Sequence, residues 1–222
     1  MHFTQDFIDF FIELAGNNHK DWFDDNRKRY HSSIKEPFEN FVGDLIIATQ
    51  KIDPTIVAEP KNCIFRINRD IRFSKDKTPY KMDRSAIISK HGRKDKEYPG
   101  GYVRLSPEGC HIGGGAYFLQ KENLLFTREK IAQNMKQWEA ISNAKPFKKY
   151  FKTGVQGERN KIAPKQFKPL VDDCPDILNK QFYYMADHGS DLILNPKLVD
   201  ICVEHYAAAL EVKNFIAEVF ES

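Results

Sequence analysis

Cysteine is scarce in these 222 residues, and the four that occur, Cys63, Cys110, Cys174 and Cys202, lie far apart. None belongs to a Cys-x-x-Cys pair or stands near a histidine at zinc-ligand spacing, which excludes a disulfide framework and a zinc ribbon. Small core thiols in a reducing cytoplasm are expected instead. No cluster of Asp, Glu and His has metal-site spacing, so no obligatory metal or cofactor is expected. The Gly-x-Gly-x-x-Gly turn of dinucleotide folds is missing, although Gly113, Gly114 and Gly115 are consecutive. Apolar runs fall short of membrane-spanning length, and the N-terminus carries Asp6, Asp9 and Glu13 where a leader would be basic. Neither a membrane partner nor a signal peptide is expected.

What is present is the composition of an ordinary globular protein: 41% hydrophobic, 29% charged, with 17 Phe carrying most of the aromatic content. The length suits a single domain with a real core. Three parts are expected within it: helices over 1–52, a sheet over 60–118, and a mostly helical part over 119–222. Net charge is only +3, yet it is unevenly spread. From Lys61 to Arg104 there are thirteen cationic residues against five acids, whereas Leu170 to Ser222 holds ten acids and three lysines. An anionic partner at the basic middle and an acidic half folding back on a basic half explain this equally well.

Phe3, Phe7, Phe10, Phe11 and Leu14 recur at helical spacing, with Thr4 placed to cap and Gly16 to stop. Asn17 and Asn18 break that helix and open a second, His19–Ile34, in which Trp22, Asn26 and Arg29 share a face. A third, Pro37–Lys51, carries Phe38, Phe41, Val42, Leu45 and Ile46. From Cys63 the period changes to two. Cys63, Phe65, Ile67, Ile71 and Phe73 point one way, and Arg66, Asn68, Asp70 and Arg72 the other, which reads as a strand. Ser85–Ser89 is a second short strand. A hairpin follows over Tyr102–Cys110, with Leu105 expected opposite Ile112 and Ser106 opposite His111. Helices are expected over Lys121–Met135, Lys136–Ile141, Pro175–Tyr184 and from Asn195 and Pro196 onward, with Lys145–Lys168 as a loop. The fold class is therefore α+β: a central, mainly antiparallel sheet flanked by N-terminal and C-terminal helices.

The densest chemistry lies in Ile64–Lys81, IFRINRDIRFSKDKTPYK, which holds six cationic side chains, two carboxylates and several hydroxyls. On a strand, residues two apart are separated by about 6.6 Å, so Arg66 and Arg72 could bracket one oxyanion with Arg69 nearby. Guanidinium forks bind phosphate or carboxylate bidentately. Asp70 or Asp76 would orient the arginines or serve as base, while Ser74, Lys75, Lys77, Tyr80 and Lys81 add donors and charge. Trp22 and Asn26, with Gly113 and Gly114 as a place of close backbone approach, could complete a pocket. The bland alternative is an ion-pair ladder on a solvated face, with Trp22 packed on the neighbouring helix and Arg29 at its edge.

Two apparent motifs carry little. Ser74–Lys77 and Ser32–Lys35 both fit Ser-x-x-Lys, and Lys152–Gly154 is Lys-Thr-Gly, but Ser-Asp-Asn is missing and Ser74 opens a loop. His111 beside the glycines could act as a base, although a lone strand histidine is more often structural.

The order Asn17, Asn18, Trp22, Phe23, Asn26, Tyr30, then RDIRFSKDKTPYK, then three glycines after a hairpin, resembles the family called domain of unknown function 2461. The resemblance covers nearly the whole chain and is loosest over Gln156–Lys168. It implies no particular activity, cofactor or catalytic residue; it assigns Arg69, Asp70 and the residues from Arg72 to Lys81 to the family's signature run.

Taken together, the sequence leads to an anion-binding protein whose ligand carries phosphate or carboxylate, with an enzyme acting on a phosphorylated small molecule as one form of it. Two alternatives come from other classes. One is a nucleic-acid-binding module that stacks bases on Tyr80, Tyr98 and Tyr102. The other is a partner-binding scaffold in which the signature run is structural.

Overall fold

The computed structural model describes residues 1–221. Helix α1, Gln5–Gly16, buries Phe7, Phe10, Phe11 and Leu14 along one stripe. A short α2, Lys20–Asp25, follows, with His19 as its N-cap. From Arg27 the chain then stays helical as far as Gln50, without the expected break before Pro37. The stretch Tyr30–Lys35 is wound as a π-helix and runs into α3, Glu36–Gln50. Pro37 accounts for the wider turn, because its ring would clash with the carbonyl four residues earlier and it has no N–H to donate.

Four strands make one antiparallel sheet in the order β1 (Arg84–Ile88), β2 (Gly100–Ser106), β3 (Gly109–Ala116), β4 (Phe182–His188). Between β3 and β4 lie α4 (Lys121–Gln133), α5 (Met135–Ser142) and α6 (Lys145–Tyr150). The long α7, Leu198–Ala217, comes last. The sheet is flanked by N-terminal and C-terminal helices, an α+β architecture. Its pleat sorts side chains cleanly. Ala86, Val103, Ile112 and Ala186 form one row across all four strands and are buried against the helices. The next row, Ser85, Arg104, His111 and Asp187, points to the opposite face.

Two apolar clusters hold the layers. One joins α1, α3 and the first strands; the other joins α5, α6, β4 and the second half of α7. A buried ion pair ties α7 to the end of α3: Lys213 Nζ lies 2.6 Å from Asp53 Oδ2, and the Tyr206 hydroxyl donates to the same oxygen at 2.7 Å. Burial would raise the Asp53 carboxyl, but hydrogen bonds from Lys213, Thr55 and Tyr206 outweigh it and hold the pKa at about 2.

Several expected elements differ. Cys63–Phe73 is not a strand of the sheet. Ile64 bridges Ala86 and the Phe65 amide donates to the Ser85 carbonyl, after which the chain leaves β1. It returns on itself through the Asn68–Tyr80 bridge and the Arg69 N–Pro79 O and Lys81 N–Ile67 O hydrogen bonds, forming a projecting arm. Two Asp-centred turns compete with a ladder here: Asp70 Oδ1 accepts from the Arg72 amide and Asp76 Oδ1 from the Thr78 amide. Phe73 consequently stands 95% exposed instead of in the core.

Pro175–Leu178 is only a 3₁₀ turn, and the alternating aromatics after it form β4 instead of a helix. Lys145–Tyr150 is a helix where a loop was expected, because Phe147 and Phe151 bury one turn apart behind Pro146. In the hairpin, Leu105 pairs with Cys110 and Ser106 with Gly109 around a two-residue Pro107–Glu108 turn. That register is two residues from the expected one, so facing is preserved and partners change. The last helix starts at Leu198, after a turn in which Asn195 Oδ1 accepts from the Lys197 amide.

Candidate functional site

The arm and the sheet's outer face are the two places where charge gathers, and they differ in how that charge is partnered. In the arm, Arg69 reaches Asp76 at 2.5 Å and also bonds the Thr78 carbonyl and hydroxyl. Arg72 makes a two-pronged contact with Asp70, at 2.9 and 2.7 Å. These partners hold the Asp70 and Asp76 carboxyls at about 2, Asp70 chiefly through the Arg72 side chain and Asp76 chiefly through the Thr78 amide. Lys77 donates to the Ile71 carbonyl at 2.9 Å. Ser74 is half-buried, and Arg66 and Lys75 are exposed.

The root of the arm is pinned to the helical layer. The Asn18 side chain donates to the Tyr80 carbonyl and accepts from the Tyr80 amide, both at 3.0 Å, as a neighbouring strand would. The Tyr80 ring stacks on Phe23 with centroids 4.0 Å apart. Trp22 packs on Phe10 at 5.5 Å, and the Arg29 guanidinium lies over Phe10 while bonding Asp6 and Glu13. Asn26 donates to the Trp22 carbonyl as a helix C-cap. Trp22 and Asn26 therefore belong to the helix packing and not to a shared pocket with the glycines.

A cavity of about 560 Å³ opens on the outer face of the sheet. Its β1 side is cationic and its β3–β4 side aromatic. Phe65 and Lys81 reach it from the two ends of the arm, Arg93 from the turn after β1, and Arg104 from β2. Tyr117 and Phe118 leave the end of β3 and Tyr183 comes from β4. Tyr117 and Tyr183 meet with centroids 5.3 Å apart. Tyr102 stands between the two sides; burial raises its phenol pKa, and Ser85 hydrogen-bonds to it.

Lys81 is half-buried with its Nζ 5.4 Å from the centre of the Phe65 ring, and that ammonium has no ion pair or hydrogen bond among the described residues. Burial lowers its pKa, with Asp83 only partly offsetting that loss. Asp83 itself is engaged by Arg104 at 3.3 Å. Arg93 donates to the carbonyls of Lys61 and Ile64, so its charge likewise meets no carboxylate among the described residues. His111 Nδ1 lies 2.7 Å from Asp187 Oδ1, while its Nε2 is buried without a partner among the described residues.

The glycines shape the floor. Gly100 opposes Gly115 and Gly101 opposes Gly114. Gly115 has φ +102°, and a Cβ there would fall 2.2 Å from the Phe182 carbonyl oxygen. What approaches the glycine backbone so closely is the protein's own β4, and the result is a patch of sheet without side chains.

Of the residues expected at a site, the cavity gathers Lys81 and Gly114; Gly113 lies beside them in β3. It also takes in His111, weighed as a base, and Tyr102, weighed for stacking. Tyr80 and Tyr98, the other two candidates for stacking, are buried in the protein. Arg93, Arg104, Tyr117 and Tyr183 were missed. Alternation along GYVRLS could have placed Arg104 beside Tyr102, but Tyr183 was hidden by the helical reading of its segment.

The molecule is thus an α+β protein with one sheet face packed on helices and the other forming the floor of a cationic and aromatic cavity. Residues 6–215 match the family model described as conserved hypothetical protein (DUF2461), and the chain belongs to that family. No curated protein and no solved structure matches it.

Proposed function

We propose that this protein binds a small anionic molecule, bearing phosphate or carboxylate, in the cavity on the outer face of its sheet. The observation that carries this reading is Lys81, a half-buried residue of the cavity lining whose ammonium has no acceptor among the described residues. Partly desolvating a cation without a partner is unfavourable, and an oxyanion from outside would offset that cost. Arg93 adds a second positive charge without a carboxylate partner, and the cavity has the size of ordinary small-molecule sites. The arm's arginines support the reading by contrast, since Arg69 and Arg72 already hold carboxylates.

A thermal-shift panel of phosphate- and carboxylate-bearing compounds tests it, with wild type run beside Lys81→Met and Arg72→Ala. Stabilisation of wild type and Arg72→Ala, lost in Lys81→Met, is the expected result. Equal stabilisation of all three proteins, or loss in Arg72→Ala alone, would overturn the assignment to this cavity.

A further inference from the structure

The cavity is not uniform across the strands, and its gradient constrains what fits. Lys81 and Arg93 stand at the β1 side, whereas Tyr117, Phe118 and Tyr183 stand at the β3–β4 side. Between them one row of the floor is bare, where Gly100 and Gly115 face each other across β2 and β3, while Tyr102 and Met185 stand in the row beside it. Neighbouring strands lie about 4.8 Å apart, so the two sides are separated by roughly 10–14 Å. Tyr117 and Phe118 are 68% and 51% exposed, a large aromatic surface to leave in water beside a cavity.

Building on the anion-binding reading, we infer that the ligand joins a flat aromatic ring to its anionic group through a spacer of about sugar size, the chemistry of a nucleoside phosphate. The ring lies over the glycine floor against Tyr117 and Tyr183, where a planar π-system stacks without needing a side-chain pocket. The phosphate reaches toward Lys81 and Arg93. A sugar phosphate would satisfy the cations and leave the aromatic side wet; a free nucleoside would do the reverse.

Isothermal titration calorimetry at low salt and neutral pH separates these cases, using the four nucleoside 5′-monophosphates, ribose 5-phosphate and the four nucleosides. The monophosphates are expected to bind at least tenfold more tightly than either ribose 5-phosphate or the nucleosides. Tyr117→Ala, at an exposed position that leaves the fold intact, is expected to weaken the monophosphates about fivefold or more, from the usual contribution of one stacked base. It should leave ribose 5-phosphate unchanged. If ribose 5-phosphate binds as tightly as the monophosphates, or Tyr117→Ala leaves the monophosphates unaffected, the aromatic inference falls while anion binding stands. If no phosphate compound binds, the nucleoside-phosphate inference falls; if binding survives Lys81→Met, the anion-binding reading of this cavity falls as well.

Discussion

The arm over 64–81 and the outer face of the sheet both carry several cationic side chains, with Lys81 common to the two, and they partner them differently. In the arm, each of Arg69 and Arg72 is within hydrogen-bond reach of a carboxylate two to seven residues away, and Lys77 is bonded to a carbonyl. On the sheet face, Lys81 and Arg93 come from different elements and neither forms an ion pair among the described residues, although Asp95 shares the cavity lining and Asp83 acts on Lys81 from a distance. Two arginines of the dense run are thus paired within it, because its two acids are interleaved at turn spacing. A sparser set assembled by the fold stays unpartnered. Charge density along a chain locates cations; only the tertiary arrangement shows which of them remain available.

Five substitutions and one titration probe this contrast, in order of expected effect. Tyr80→Ala removes the ring stacked on Phe23 at the root of the arm and should cost about 3–5 kcal/mol, the usual range for a buried aromatic. Denaturant unfolding measures it. If Tyr80 were a ligand contact, affinity would fall and stability would hold. Asn18→Ala deletes the side chain that holds both backbone groups of Tyr80 and should cost about 1–3 kcal/mol, with a protease-sensitive arm as a second readout. Arg69→Ala, which breaks the half-buried contacts to Asp76 and Thr78, should cost about 1 kcal/mol in the same assay.

Lys81→Met should leave stability at neutral pH unchanged or slightly higher, because a half-buried charge without a partner is replaced by an apolar chain of similar length. The titration concerns the same residue. Its folded pKa lies below the ordinary 10.5, so the folded state binds fewer protons than the unfolded state between the two values. Stability therefore rises as pH increases from the lowered value toward 10.5, and Lys81→Met should flatten that part of the profile relative to wild type. Anion affinity runs the other way and should be lost as pH rises through the lowered pKa. The smallest effect is that of Arg72→Ala: the pair with Asp70 is fully exposed, and neither melting temperature nor anion affinity should move measurably.

Much of the fold was legible in the sequence. The stripes of α1 and α3 and the helical content after Lys121 follow from local periodicity, and the hairpin from its Pro107–Gly109 turn. What failed was local evidence that fitted two structures. Asn68–Phe73 alternates like a strand, yet Asp70 and Asp76 bond backbone amides two residues on and hold the segment in turns. Phe182–His188 shows alternation too, but Pro175 resembles a helix start, and the strand is selected by its pairing with β3. The site suffered from the same dependence on long-range pairing. Lys81 and Gly114 could be named from the run and the glycines, whereas Arg93, Tyr117 and Tyr183 become neighbours only through the sheet order.

The central claim is that the cations that take up an anion are Lys81 and Arg93, in the cavity, and not the arginines along the arm. A crystal structure of the protein soaked with a tungstate salt tests it most directly, since the heavy oxyanion is visible at partial occupancy. Density against Lys81 Nζ and the Arg93 guanidinium, inside the cavity, is the predicted result. Density bracketed by Arg66 and Arg72, with the cavity free of it, would contradict the account.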